Sequence, residues 1–337
     1  MKLLVYLIKR ILYILPILIG LIIIGFLLFY LIPADPVRLI AGPYASPEQI
    51  LKVKQEYGLD QPLYMQFVKY IVRFFQGDLG KSIYTNRPVL QELISRSAAT
   101  LELGLISMFG ASVLGVIVGI FVALRRNSFA DHVFRAITIA GLAIASFWLA
   151  ILLQLSMGYN LDIFPIGGRI APGLSPKNIT GFYLLDSLFT LNMQSFGNSL
   201  MHLILPAITL ALPCFATIVR FVRGGVLDAL QSDYVFYEKA MGLSHKILIY
   251  KYILRNAIIV PIVQIGLLIG YTIAGTIVVE KVFSWPGIGS FAATSIVMFD
   301  YNAVIGVTVW SGMAFCFGTL MADVALAFID PREIKNA

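Results

Sequence analysis

Charge is scarce in this chain of 337 residues: Asp, Glu, Lys and Arg together make up 13% of it, roughly half the share of a soluble domain. Cysteine is scarcer still. The two present, Cys214 and Cys316, both lie in apolar runs, which leaves neither a disulfide framework nor a thiolate metal cluster. The three histidines, His132, His202 and His245, are scattered, with no HExxH spacing and no carboxylate cluster to complete a metal site. No G-x-S-x-G elbow and no G-x-G-x-x-G fingerprint occur, so the sequence offers neither a hydrolase nucleophile nor a dinucleotide fold. Gly80-Lys81-Ser82 imitates the end of a phosphate-binding loop. That motif requires glycine at 75, where Phe75 stands; Gly77 comes two residues too late and no strand pattern precedes it.

What is abundant is apolar surface. Hydrophobic residues make up 59% of the chain, and they gather in long uncharged runs, the mark of an integral membrane protein. The net charge of +7 does not point to nucleic acid, because the basic residues are spread over the connections between runs. The first run, 11–32, is too long for a signal peptide and is followed by Leu31-Ile32-Pro33-Ala34-Asp35-Pro36, a poor cleavage site. It reads as a retained first span. Five more are predicted at 103–124, 133–158, 201–222, 257–279 and 302–329, each long enough to cross ~30 Å of hydrocarbon as a helix. Pro206, Pro213 and Pro261 fall inside spans and can kink them.

Six spans place both termini on one side. With 1–10, 125–135, 220–256 and 331–337 in the cytosol, those segments hold 14 Lys and Arg, against three in the short outer loops 159–200 and 280–301. The expectation is therefore an all-α integral membrane protein with six transmembrane helices and both termini cytosolic. Its parts are an N-terminal helix at 1–32, an extracytoplasmic helical insertion at 33–97 and a five-helix core at 98–337 with a cytosolic loop at 223–256. Within the insertion, Ser46-Pro47-Glu48-Gln49 has the form of a capping box. A second helix from Pro62 would put Phe67, Tyr70, Ile71 and Phe74 near one face, turned to the outer membrane surface. Glu102, Arg220, Glu280 and Asp323 lie near the ends of spans, where charge can snorkel or pair, and a structural or gating role is expected of each. Transport driven by a coupling ion needs ionisable groups or broken helices near the midplane, and that signal is weak here.

The cytosolic stretch 232–257 is a polar island. Ser232 or Asp233 can cap a short helix, Gly242 can end it in the left-handed conformation, and Ser244 can cap a second helix carrying Lys251 and Arg255 on one face. It is either an ordinary basic loop or a docking element.

Asp233-Tyr234, Ala240-Met241-Gly242-Leu243 and Leu254-Arg255-Asn256-Ala257 resemble the cytosolic loop of permease subunits of ABC importers. Pro33-Ala34-Asp35-Pro36, Gly77-Asp78-Leu79-Gly80-Lys81-Ser82, Ala99-Thr100-Leu101-Glu102-Leu103, Val279 to Gly289 and Asp330-Pro331-Arg332 narrow the resemblance to the B-type permeases of the dipeptide, oligopeptide and nickel systems. The Glu-Ala-Ala signature of the wider family would fall on Phe236, Tyr237 and Glu238 and is absent, as is usual in the peptide branch.

The resemblance implies a type I importer permease fold and half of a translocation pathway. The other half comes from a second homologous permease subunit. Two ATP-binding subunits, carrying ATP and Mg that this chain does not bind, and an extracytoplasmic substrate-binding protein would complete the assembly in the inner (plasma) membrane. The permease itself would be a transport subunit without enzymatic activity and without nucleic acid among its partners. Its ATPase-coupling residues would be Asp233, Tyr234, Phe236, Tyr237, Glu238, Ala240, Gly242, Leu243 and Arg255. Phe283, Trp285, Pro286, Gly287 and Gly289 are either interfacial anchors in a turn or an outer gate that contacts the binding protein. Asp162 to Arg169 also resembles a family feature, without an assignable role. Peptide is the implied cargo, with nickel or another small solute as the alternative. A non-transporting scaffold that recruits a cytosolic partner is the alternative of another class.

Overall fold

The computed structural model describes residues 12, 16–17, 19–27, 45–56, 60–244, 247–253 and 259–329. Among them the secondary structure is helical apart from one isolated bridge between Lys81 and Pro88.

The insertion carries α1 (Pro47–Glu56) and α2 (Leu63–Phe75). The capping box forms as expected: Gln49 N–H donates to Ser46 Oγ at 3.3 Å, and Ser46 N–H donates to Gln49 Oε1 at 2.9 Å. The apolar face of α2 does not turn to the membrane surface. Phe67, Tyr70, Ile71 and Phe74 pack on Ile22, Ile305 and Val309, a protein surface better able to bury aromatic rings than a headgroup layer. Tyr64, Val68, Val72 and Phe75 are exposed instead.

The core is built on α3 (Val89–Leu124) and α7 (Met193–Leu230). They pack closely because α3 presents glycine where α7 presents branched chains. A Cβ on Gly115 would stand 2.8 Å from Ile218, and one on Gly119 would stand 2.7 Å from Val222. Between them run α4 (Phe129–Ala143), α5 (Ser146–Leu153) with a π-helical turn (Gln154–Asn160), and α6 (Tyr183–Phe189). After α7 come α8 (Asp233–Ala240), a second π-helical turn (Leu248–Ile253), α9 (Ile259–Val282), α10 (Ile288–Val297) and α11 (Tyr301–Ile329). Residues 19–27 are helical and cross α11, with Gly25 against Ile305 and Gly312 against Leu21.

Two features depart from the expected spans. The helix expected at 133–158 is broken into α4 and α5, whose axes bend by 107°. Ile144 and Ala145 between them are extended, with ψ of 124° and 130°. Helix α7 is longer than the span expected at 201–222: it runs from Met193 to Leu230, with Pro206 and Pro213 inside it. Near its end Arg223 pairs with buried Asp131. Among the described residues, three helices are long and apolar enough to cross a membrane, or four if the bent pair is one span.

Candidate functional site

At one end of the bundle, α9 closes on Glu280, whose side chain is fully buried. The chain then turns through Ser284 to Gly287 and folds α10 back over the carboxyl group. Thr100 Oγ1 donates to Glu280 Oε1 at 2.7 Å, and Ser290 N–H donates to Oε2 at 2.9 Å. Thr100 in turn accepts from Ile288 N–H at 2.8 Å, and Trp285 Nε1 donates to the Ala99 carbonyl at 2.9 Å. This wrapping explains the Pro-Gly-Ile-Gly spacing. A Cβ at 287 would lie 2.4 Å from both carboxyl oxygens, and one at 289 would lie 2.5 Å from Ile277 Cα. The aromatic rings of the turn point inward: Phe283 and Trp285 are buried among Leu103, Leu203 and Leu205, while Pro286 is exposed.

Glu102 joins a second loop to the same place. Arg169 Nε donates to its Oε2 at 3.0 Å, Arg169 Nη2 donates to that oxygen as well, and Leu184 N–H donates to Oε1 at 2.8 Å. The guanidinium lies 3.8 Å from the centre of the Tyr183 ring and 5.8 Å from that of Trp285, so it bridges the two loops. Gly168 N–H donates to the Phe283 carbonyl at 2.8 Å, completing the join. The Arg169 side was hidden in a segment to which sequence assigned no role, and Asp186 was missed altogether. Asp186, in the first turn of α6, is buried and accepts from the N–H groups of Ile179, Thr180 and Gly181 and from the Thr180 hydroxyl. Burial pushes its pKa up, but those four donors outweigh it and hold the carboxyl below its ordinary value.

The imitation phosphate loop is a clasp. Ser82 Oγ donates to Asp300, and Tyr84 N–H donates to the same carboxyl group at 3.2 Å, which ties the insertion to the start of α11. Behind these joints a cavity of about 380 Å³ opens between α3, α9, α10 and α11, lined by Thr100, Thr276, Val307, Trp310 and Phe317 among others.

At the end of α7 the elbow forms where glycine predicts it. Gly242 has φ of +77°, which a residue with a Cβ reaches only with strain. Ser232 does not cap α8 through its hydroxyl; that group donates back to the Ala229 carbonyl and fastens the elbow to α7. Val235 is buried against Val226, Leu248, Ile249 and Ile253, while on the opposite side Phe236, Tyr237 and Met241 are 77%, 64% and 66% exposed. Glu238 and Ala240 are on the same helix, and Leu243 N–H donates to the Glu238 carbonyl at 3.4 Å. Arg255 and the side chains of Tyr234 and Asp323 lie outside the described residues. An anchored helix with an exposed aromatic face at the end of a long span can dock a soluble partner. Among the described residues, no group of three or more His, Cys, Asp or Glu could hold a metal.

Residues 115–335 match the family described as binding-protein-dependent transport system inner membrane component, and residues 3–104 match its N-terminal companion. The chain belongs to this permease family. The probable D,D-dipeptide transport system permease protein DdpB of Escherichia coli (strain K12) is 41% identical, over 93% of this chain and 92% of the relative. The dipeptide transport system permease protein DppB of Alkalihalophilus pseudofirmus is 35% identical, over 98% and 99%. The glutathione transport system permease protein GsiC of Salmonella typhi is 35% identical, over 97% of both chains. The permease is thus a multi-pass inner-membrane transport subunit, as the motifs from Asp233 to Ala257 and from Val279 to Gly289 implied.

Proposed function

We propose that this permease forms half of the translocation pathway of an ATP-driven importer for small peptides. The observation that carries the reading is the elbow at 233–243, braced from within by Val235 and offering Phe236, Tyr237 and Met241 outward. A face of that kind suits the groove of an ATP-hydrolysing subunit. A six-span arrangement fits the helical stretch at 19–27, α3, the α4–α5 pair, α7, α9 and α11, and the excess of Lys and Arg supports cytosolic termini. A second permease subunit supplies the other half of the path, and a binding protein delivers cargo to the outer joints around Glu102 and Glu280. Peptide cargo follows from the relatives, whose names specify dipeptides, D,D-dipeptides and glutathione.

The test is reconstitution with the second permease, the ATPases and the binding protein. Dipeptide-loaded binding protein is expected to stimulate ATP hydrolysis and uptake, and Gly242→Val to abolish uptake and loosen the ATPases from the membrane complex. Stimulation by nickel but not by dipeptides would reassign the cargo. ATP hydrolysis indifferent to both would overturn the importer reading.

A further inference from the structure

The bent α4–α5 span is fastened at its two ends to different bodies. At the cytosolic end, Asp131 is fully buried and accepts from Arg223 Nε at 2.9 Å, from Arg223 Nη2 at 3.0 Å and from Asn127 N–H at 3.0 Å, with Arg135 Nε 3.6 Å away. Arg223 belongs to the stretch of α7 that continues into the elbow. At the outer end, Gln154 Nε2 donates to the carbonyls of Ile166 at 2.7 Å and Val282 at 3.3 Å, the two loops joined around Glu102 and Glu280. A relative movement of elbow and outer joints therefore has to be absorbed between 131 and 154.

The place to absorb it is Ile144–Ala145. Gly141 faces Leu212 and Ala216 of α7, while Ala150 packs with Leu203, Leu205 and Leu210. The joint thus lies level with the middle of the apolar run 201–222, at mid-membrane. Ala145 is exposed there. Breaking a helix frees peptide groups that hydrocarbon cannot satisfy, so an exposed break at this depth is tolerated only against water or protein. Both residues keep ordinary negative φ, −74° and −67°, so the joint carries no left-handed strain and can flex from either side.

We infer that Asp131 and Arg223 are positioning residues for transport: they make α4 follow the elbow, so that the span flexes at Ile144–Ala145, which lines the aqueous pathway. This rests on the importer reading above, and the test keeps the two apart. In the assembled importer, on a C214S/C316S background, A145C is labelled with a membrane-impermeant maleimide, without nucleotide and after vanadate trapping with ATP. The labelling rates are expected to differ at least about fivefold between the two states, the low end of what coupled sites show. D131N should remove that difference while vanadate still traps the ATPases, and the D131R/R223D exchange should restore it. In an importer with its own cysteines, D131N should lower uptake per ATP hydrolysed by a similar factor. A state-dependent rate that D131N leaves unchanged would overturn the inference, as would absence of labelling in either state. Failure of the binding protein to stimulate ATP hydrolysis with Asp131 and Arg223 in place would instead overturn the importer reading.

Discussion

Gly287→Ala is the sharpest probe of the outer joint, because the structure fixes what the added methyl meets. Its Cβ would fall 2.4 Å from both oxygens of Glu280, so the carboxyl group has to move. Moving it breaks the bonds from Thr100 Oγ1 and Ser290 N–H, leaving a buried hydroxyl and a partly buried N–H to find new partners. Each unsatisfied group costs about 1–3 kcal/mol, so the change should destabilise by about 2–6 kcal/mol. That is a large share of a total stability of about 5–15 kcal/mol. The two free cysteines are both buried, so a thiol-reactive dye reports unfolding directly. The midpoint for G287A should fall by at least about 3 °C. Gly197→Ala is the control: it sits inside α7 with nothing within 4 Å of the added Cβ, and the lost backbone freedom should stabilise by about 0.5–1 kcal/mol. The same chemical change thus carries opposite signs at the two sites. A G287A midpoint equal to or above that of the parent chain would refute the account of the Pro-Gly-Ile-Gly turn.

Two further predictions concern the outer carboxylates. Asp186 has a folded-state pKa below its unfolded one, so it binds its proton less readily when native; its stabilising contribution is complete above the ordinary carboxylate range and is lost as pH falls through the folded value. Thermal midpoints measured from about pH 5 downwards should fall more steeply for the parent chain than for D186N, and parallel curves would count against this. Glu102→Gln leaves the Arg169 guanidinium buried with the Gly181 carbonyl and should cost about 3–5 kcal/mol, whereas replacing both partners by methionine should recover most of it. Equal midpoints for the single and double variants would show that the pair's burial does not matter.

The features legible in sequence were those set by neighbours along the chain. The capping box at Ser46 and Gln49 and the left-handed turn at Gly242 need only local geometry, and both form where residue type predicts. The break at Ile144–Ala145 was not legible, since the run around it is apolar apart from Ser146 and has no proline or glycine at the joint. Its cause is tertiary, with each half held by a different region of the molecule. The outer joints were half legible. Glu102 and Glu280 stood out as charges near span ends, but their partners, Arg169 and Thr100, are 67 and 180 positions away in the chain. Nothing in local pattern pairs residues over such separations. Arg223 and Asp131 are likewise 92 positions apart, and local pattern joins neither to the other.

These pairings bear on where the driving force enters. A coupling ion or proton needs a carboxyl group that can exchange partners near the midplane. Glu280 receives donors from α3 and α10, Glu102 from the loop before α6 and from α6 itself, and Asp131 from α7 and its own capping turn. Releasing any of them for an ion would separate segments that it holds together and leave buried donors unpaired, a cost of about 1–3 kcal/mol for each donor. These acids are therefore better suited to join rigid elements than to carry charge. That arrangement fits the importer reading, in which the force is applied from outside the bundle. The elbow offers a place for it, where Val235 is locked into the core and Phe236, Tyr237 and Met241 are left for a partner to grip.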